Sequence, residues 1–197
     1  MTIKSQAMGD YQTNCYIVTI DGKDLIIDPG MGATQWVIDN TTNPIAILNT
    51  HGHFDHVWSN KELNNKLKIP IYCPKDDCFM LKDDPFDQGT PSSIADFKIE
   101  HDEIINLEGI EIKFHFFPGH TPGCSAIQIK NTLFAGDFIF QGSIGRVDFP
   151  YSNPEDMKES IRKVLSFEDN LTVYTGHGNP TNLFNEKASL NNWLNYL

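Results

Sequence analysis

Three of the chain's seven histidines and an aspartate stand within six consecutive residues, His51-Gly52-His53-Phe54-Asp55-His56. Chance rarely packs so few histidines this closely, which makes the stretch a usable motif. Imidazole nitrogen and carboxylate oxygen at this density suit Zn²⁺ or a similar borderline ion, whereas Ca²⁺ or Mg²⁺ would ask for oxygen almost throughout. The competing reading is a polar surface loop, or histidines satisfied by backbone carbonyls. It leaves unexplained why further ligand-type residues recur in one setting. Asp28, His120, Asp137 and His177 each stand at or just after the end of a predicted strand, where α/β proteins hold ligands. His177 alone would be an ordinary loop histidine, but glycines flank it on both sides. His101, among Glu100, Asp102 and Glu103, and His115, in mid-strand opposite an apolar face, lack that setting and are expected to be exposed.

The elements that must hold these residues follow from turn signals and periodicity. Residues 15–20 and 25–27 are β-branched runs joined by Asp21-Gly22, a hairpin signal, and Asp28-Pro29-Gly30 closes the second run. Residues 34–39 read as a short helix. The apolar strand 45–48 hands Asn49, Thr50 and the histidine cluster to a loop at its C-terminal end. A helix over 59–68, stopping before Pro70, and a strand over 71–73 complete a βαβ step. Residues 82–97, with Asp83-Asp84-Pro85, Gly89 and Pro91, are too rich in breakers for a regular element. Ile110, Ile112, Phe114 and Phe116 alternate with Glu111, Lys113 and His115, giving a half-buried strand that ends at Pro118-Gly119-His120-Thr121-Pro122-Gly123. A hairpin over 126–129 and 132–135 ends in Gly136-Asp137. Asn153-Pro154-Glu155 starts a helix whose apolar face is Met157, Ile161, Val164 and Leu165, and 171–174 is the last predicted strand, ahead of His177.

Composition bounds the partners. A chain of 197 residues with 40% hydrophobic side chains suits a single domain, 1–197. A net charge of -11 and an isoelectric point near 4.9 repel a nucleic-acid backbone. Cys15, Cys73, Cys78 and Cys124 do not have zinc-ribbon spacing and read as reduced structural thiols. No leader-like segment and no run of about 18 apolar residues is present, so neither export nor membrane insertion is expected, and the expected compartment is the cytoplasm.

With these motifs in view the chain resembles the metallo-β-lactamase superfamily, and within it the glyoxalase II (hydroxyacylglutathione hydrolase) type, over essentially its full length. Besides the histidine cluster, the resemblance rests on Thr13-Asn14-Cys15-Tyr16, Asp28-Pro29-Gly30, the His120 and Asp137 segments, Gly142-Ser143-Ile144-Gly145-Arg146 with Asp148, and Gly176-His177-Gly178. It implies an α/β fold, a four-layer αβ/βα sandwich, with two divalent metal ions, zinc first and iron or manganese as alternatives. His51, His53 and His120 would hold one ion, Asp55, His56 and His177 the other, and Asp137 would bridge them. Asp28 would stand behind the ligands, hydrogen-bonding one of them. The related diiron oxygen reductases usually carry Glu where this chain has His53, which favours a hydrolase. Twenty residues follow His177, too few for the helical glutathione-gripping domain of longer members, so the resemblance is to the short bacterial form.

The implied substrate is a small-molecule thioester, S-lactoylglutathione or another thiol conjugate. A hydroxide bridging the two ions would attack, with Asp55 as the catalytic residue that orients it and takes up its proton. A thiolate of pKa about 8.5 leaves without a dedicated acid, which ranks thioesters above amides. Arg146, one of two arginines, could pair with a substrate carboxylate or internally with Asp148. The rival enzyme is a persulfide dioxygenase with one iron on His51, His120 and Asp137. Another hydrolase of this fold, or a non-catalytic metal-binding protein, ranks lower.

Overall fold

A computed structural model describes all 197 residues, which divide into two compact units, Met1–Ile99 and Glu100–Leu197. The first unit is a six-stranded sheet in the order β1-β2-β3-β4-β5-β6. Strands β1 (Thr2–Met8), β2 (Thr13–Ile20) and β3 (Lys23–Ile27) are antiparallel. Asp21 and Gly22 both take positive φ (49° and 75°), the conformation whose twist matches that of the strands it joins. From β3 the sheet turns parallel through β4 (Pro44–Leu48), β5 (Ile71–Pro74) and β6 (Phe97–Ile99). The crossovers carry α1 (Ala33–Asn40), α2 (Phe54–Val57), α3 (Asn60–Leu67), a 3₁₀ turn (Lys75–Asp77) and α4 (Cys78–Asp83). Val37 of α1 and Leu63 of α3 join Cys15, Ile26, Ile47, Ile71 and Cys73 in one buried cluster. Residues 15–18 of β2 are buried without alternation, as expected of a strand covered on both faces.

The second unit is also six-stranded, in the order β14-β13-β10-β9-β8-β7. Strands β7 (Ile104–Leu107), β8 (Ile110–Phe116), β9 (Ser125–Ile129) and β10 (Thr132–Gly136) form an antiparallel meander. The chain then makes a small hairpin, β11 (Ile139–Phe140) with β12 (Ser143–Ile144), and runs through α5 (Pro154–Leu165) to β13 (Thr172–Thr175), which is parallel to β10. Asn153 caps α5 by accepting from the N–H groups of Glu155 and Asp156, as its sequence indicated. Met157, Ile161 and Val164 of α5 are buried beside Phe117, Leu133 and Val173.

Strands β1, β6, β7, β11 and β12 had no predicted counterpart, and further elements depart from expectation. Helix α2 lies in a stretch read as a loop, α4 lies mostly in one given no element, and each is too short to display a period. Strand β13 is not the last: β14 (Thr181–Asn182) and α6 (Leu183–Tyr196) follow. Along α6 only Leu183, Glu186 and Leu190 are buried, so no apolar stripe announces it. No helix is long and apolar enough to cross a membrane.

Candidate metal centre

In the first unit, strand pairing sets the geometry. Ile27 of β3 pairs with Leu48 of β4, so the residues just beyond each strand end lie side by side. Asp28 takes a left-handed backbone there (φ 48°), which aspartate tolerates better than most side chains. Its carboxylate accepts from Thr50 N (2.8 Å to Oδ1), Thr50 Oγ1 (2.6 Å to Oδ2) and His56 Nδ1 (3.0 Å to Oδ2). The bond to Nδ1–H fixes the His56 tautomer and leaves its lone pair on Nε2. The Thr50 hydroxyl, its proton given to Asp28, accepts from His51 Nδ1 at 3.0 Å, which fixes that ring the same way. Thr13 of β2 donates to Asp55 Oδ2 at 2.6 Å, and the same oxygen lies 3.5 Å from His56 Nε2. The ring of His51 is 4.9 Å from that of His53 and 4.2 Å from that of His56, centroid to centroid. His51 and His56 are 0% exposed, His53 6% and Asp55 8%. Asp28, His51 and His56 offer ligand atoms within 4.8 Å of one another. Three hydrogen bonds already converge on the Asp28 carboxylate, one of them from His56.

In the second unit, Gly136 of β10 pairs with Thr175 of β13 after a register shift beyond Phe134. The extra residue re-aims the end of β10, and Gly176 N–H bonds to Gly136 O at 2.7 Å. This brings Asp137 beside His177. Asp137 Oδ2 lies 3.4 Å from Nε2 of His120 and 3.4 Å from Nε2 of His177. His120 Nδ1–H donates to the backbone carbonyl of Arg146 at 2.8 Å, so its Nε2 carries the lone pair. That carbonyl is delivered by the β11–β12 hairpin, which fits only because residue 145 is glycine: a Cβ there would stand 1.8 Å from the carbonyl oxygen of Asp137. An imidazole nitrogen and a carboxylate oxygen facing each other at this distance suit a shared proton or a cation between them. Buried Nε2 atoms and carboxylate oxygens with fixed tautomers are the donor set zinc and its neighbours prefer.

The Arg146 guanidinium makes two bonds of 2.8 Å to Asp148 and lies 4.2 Å over the ring of Phe149, while remaining exposed. The structure thus brings it to Asp148, the internal partner the sequence offered. His115 corrects an expectation, being 4% exposed rather than on a wet face. Its Nε2 bonds Gln128 Oε1 at 2.6 Å and its ring packs near Phe117 and Phe167, and burial lowers its pKa. The second face of β8 is covered only at His115, with Glu111 exposed and Lys113 half-buried, so alternation misread that one position. The supporting roles of Thr50 and the Arg146 carbonyl were also missed, since neither a hydroxyl nor a backbone oxygen advertises its partner.

Residues 8–177 match the family model described as the metallo-beta-lactamase superfamily. The "Hydroxyacylglutathione hydrolase GloC" of Haemophilus influenzae is 34% identical over 99% of both chains. Among solved structures, the BLEG-1 B3 metallo-beta-lactamase superposes with a TM-score of 0.86 at 28% identity, over 95% of this chain and 97% of that one. TTHA1623, solved in a di-iron-bound form, superposes with a TM-score of 0.82 at 28% identity, over 94% and 98%. The expected fold class is thereby shown.

Proposed function

Because the chain belongs to the metallo-beta-lactamase superfamily, a family of metallo-hydrolases, we propose that it hydrolyses a thioester, S-lactoylglutathione or a related acyl-glutathione, with two divalent ions. In this reading His51, His53 and His120 would hold one ion, Asp55, His56 and His177 would hold the other, and Asp137 would serve both. The observation that carries the two-ion reading is Asp137 Oδ2 at 3.4 Å from both His120 and His177, histidines that belong to different sets of three. The similarity to a hydroxyacylglutathione hydrolase over the whole chain supports the substrate class. The chemistry such ions would supply when bound is an acidified water and a polarised acyl carbonyl at neutral pH.

The chain's own residues supply the rest. Asp55, held by the Thr13 bond to its Oδ2, would orient the attacking water and receive its proton. Asp28 and Thr50 keep the rings of His56 and His51 turned so that Nε2 serves as donor. The water oxygen ends on the acyl carbon, the C–S bond breaks, and the proton passes to the departing thiolate. Arg146, exposed beside its Asp148 partner, exchanges that partner for a carboxylate of the thiol carrier. The compartment proposed is the cytoplasm, whose reducing poise suits four free cysteines.

The test loads metal-stripped protein with Zn²⁺, which has no redox chemistry, and assays S-lactoylglutathione. Thioester cleavage with two bound equivalents is the expected result. Zinc protein inactive on thioesters, together with iron protein consuming oxygen on glutathione persulfide, would install the dioxygenase reading instead.

A further inference from the structure

Cys73 and Cys78 are far enough apart in sequence to seem unrelated, yet the fold makes them a pair. Cys73 lies at the end of β5, fully buried, and in register with Lys98 of β6. After Pro74 and the 3₁₀ turn the chain returns Cys78, half-buried, as the first residue of α4. The two thiols converge on one carbonyl, that of Pro74. Cys78 Sγ also lies 3.4 Å from Pro74 O and 3.7 Å from Cys73 O, and Cys73 Sγ lies 3.5 Å from Pro74 O. Both sulfurs therefore crowd one short segment. The neighbouring Cys73 thiol lowers the Cys78 pKa, with Lys98 adding to it against the opposing effects of partial burial and of Asp77 and Asp76, while burial holds Cys73 as the thiol. One accessible, activated sulfur beside one buried partner is the arrangement of a nucleophilic and a resolving cysteine.

The segment they bracket supports the histidine cluster. Asp77, immediately before Cys78, accepts from the Gly52 N–H through Oδ2 at 2.9 Å. Its backbone carbonyl stands only 2.7 Å from where a Gly52 Cβ would be. Gly52 lies between His51 and His53, so any displacement of the 74–78 segment bears directly on both.

We propose that Cys73 and Cys78 form an oxidisable dithiol that a small hydroperoxide converts to a disulfide, and that closing it displaces Asp77 from Gly52 and weakens metal binding. In the first step the Cys78 sulfur attacks the peroxide, becomes the sulfenic acid and, with one proton taken up, releases water or an alcohol. In the second, the Cys73 sulfur attacks the Cys78 sulfur, the S–S bond forms, and hydroxide leaves with the Cys73 proton as water. Two thiols lose one electron each and one peroxide is reduced. This inference concerns groups outside the hydrolytic machinery, and its first readout does not depend on activity.

The experiment treats reduced, metal-stripped protein with one equivalent of hydrogen peroxide. Remaining thiols are alkylated after unfolding and the cysteine peptides are mapped. Expected is the loss of two hydrogens in mass, a linked peptide joining Cys73 to Cys78, alkylation retained at Cys15 and Cys124, and reversal by dithiothreitol. Cys73→Ser should stop at a trappable Cys78 sulfenic acid, and Cys78→Ser should show no early oxidation. Over-oxidation of Cys78 with Cys73 still alkylatable, or equal oxidation of all four cysteines, overturns the dithiol. Cobalt(II) titration, read by its visible absorption after peroxide removal, tests the coupling. Affinity should fall several-fold in the bridged wild type and not in peroxide-treated Cys78→Ser, and an unchanged wild-type affinity overturns it.

Discussion

At the scale of single residues, what the side chain can do by itself was legible and what it does through a neighbour was not. His51, His53, Asp55, His56, His120, Asp137 and His177 announce themselves because imidazole and carboxylate are ligand chemistry wherever they stand. Thr13, Thr50 and the Arg146 carbonyl act only through geometry, holding Asp55, His51 and His120 at 2.6, 3.0 and 2.8 Å. Asp28 joins both kinds. Asp28→Asn should lower metal affinity roughly 10- to 100-fold, because the amide cannot accept from Thr50 and His56 in the same way. Isothermal titration with zinc checks this, and a whole equivalent lost at saturating metal would make Asp28 a ligand. His115 carries a pH prediction. Burial holds its pKa below the ordinary value, so the unfolded chain takes up a proton that the folded protein does not. The Gln128 bond and Asp102 oppose that shift, while Lys113 and Lys163 add to it. Its contribution is complete above the unfolded pKa of about 6.5 and is lost as pH falls through the depressed folded value. Urea unfolding at pH 7 and pH 5 should therefore show a smaller decline for His115→Phe than for the parent protein. An equal decline would place the acid sensitivity elsewhere.

Among elements, helices and hairpins with a period or a turn signature were readable, and those without one were not. The α5 start at Asn153-Pro154-Glu155 was found because capping chemistry is local. Asn153→Ala should cost about 1 kcal/mol in urea unfolding. By contrast α2, with four residues, and α4, with six, offer too few positions for amphipathicity, and α6 hides behind its asparagines. The β11–β12 hairpin is invisible to periodicity yet sets His120. Gly145→Ala would drive a methyl into the Asp137 carbonyl, so the hairpin must shift and the Arg146 bond to His120 must lengthen. A lower melting temperature together with weaker zinc binding is expected. A change in melting temperature alone would show that the hairpin does not orient His120.

For the whole molecule, alternating strands and helices gave α/β character, whereas the particular fold was reached by resemblance, since strand order leaves no periodic trace. The division at residues 99 and 100 was likewise unmarked, falling where no linker composition signals it. Net charge does carry forward. A chain of -11 repels an anionic glutathione conjugate at long range. Salt raised towards about 0.15 M should therefore increase kcat/KM for such a substrate, whereas a decrease would point to local attraction at the site. Finally, both sheets are laid down in chain order, each strand pairing with the one before it in its sheet, the β11–β12 hairpin aside. Synthesis on a ribosome thus delivers every strand of the first sheet by Ile99, before the second has begun, so the earlier half needs no later segment to complete its ladder. The widest gap to be closed is that between β10 and β13, across α5. In refolding followed by pulsed hydrogen exchange, amides of β1 to β3 should gain protection first and those of β13, the strand that carries His177 into place, last.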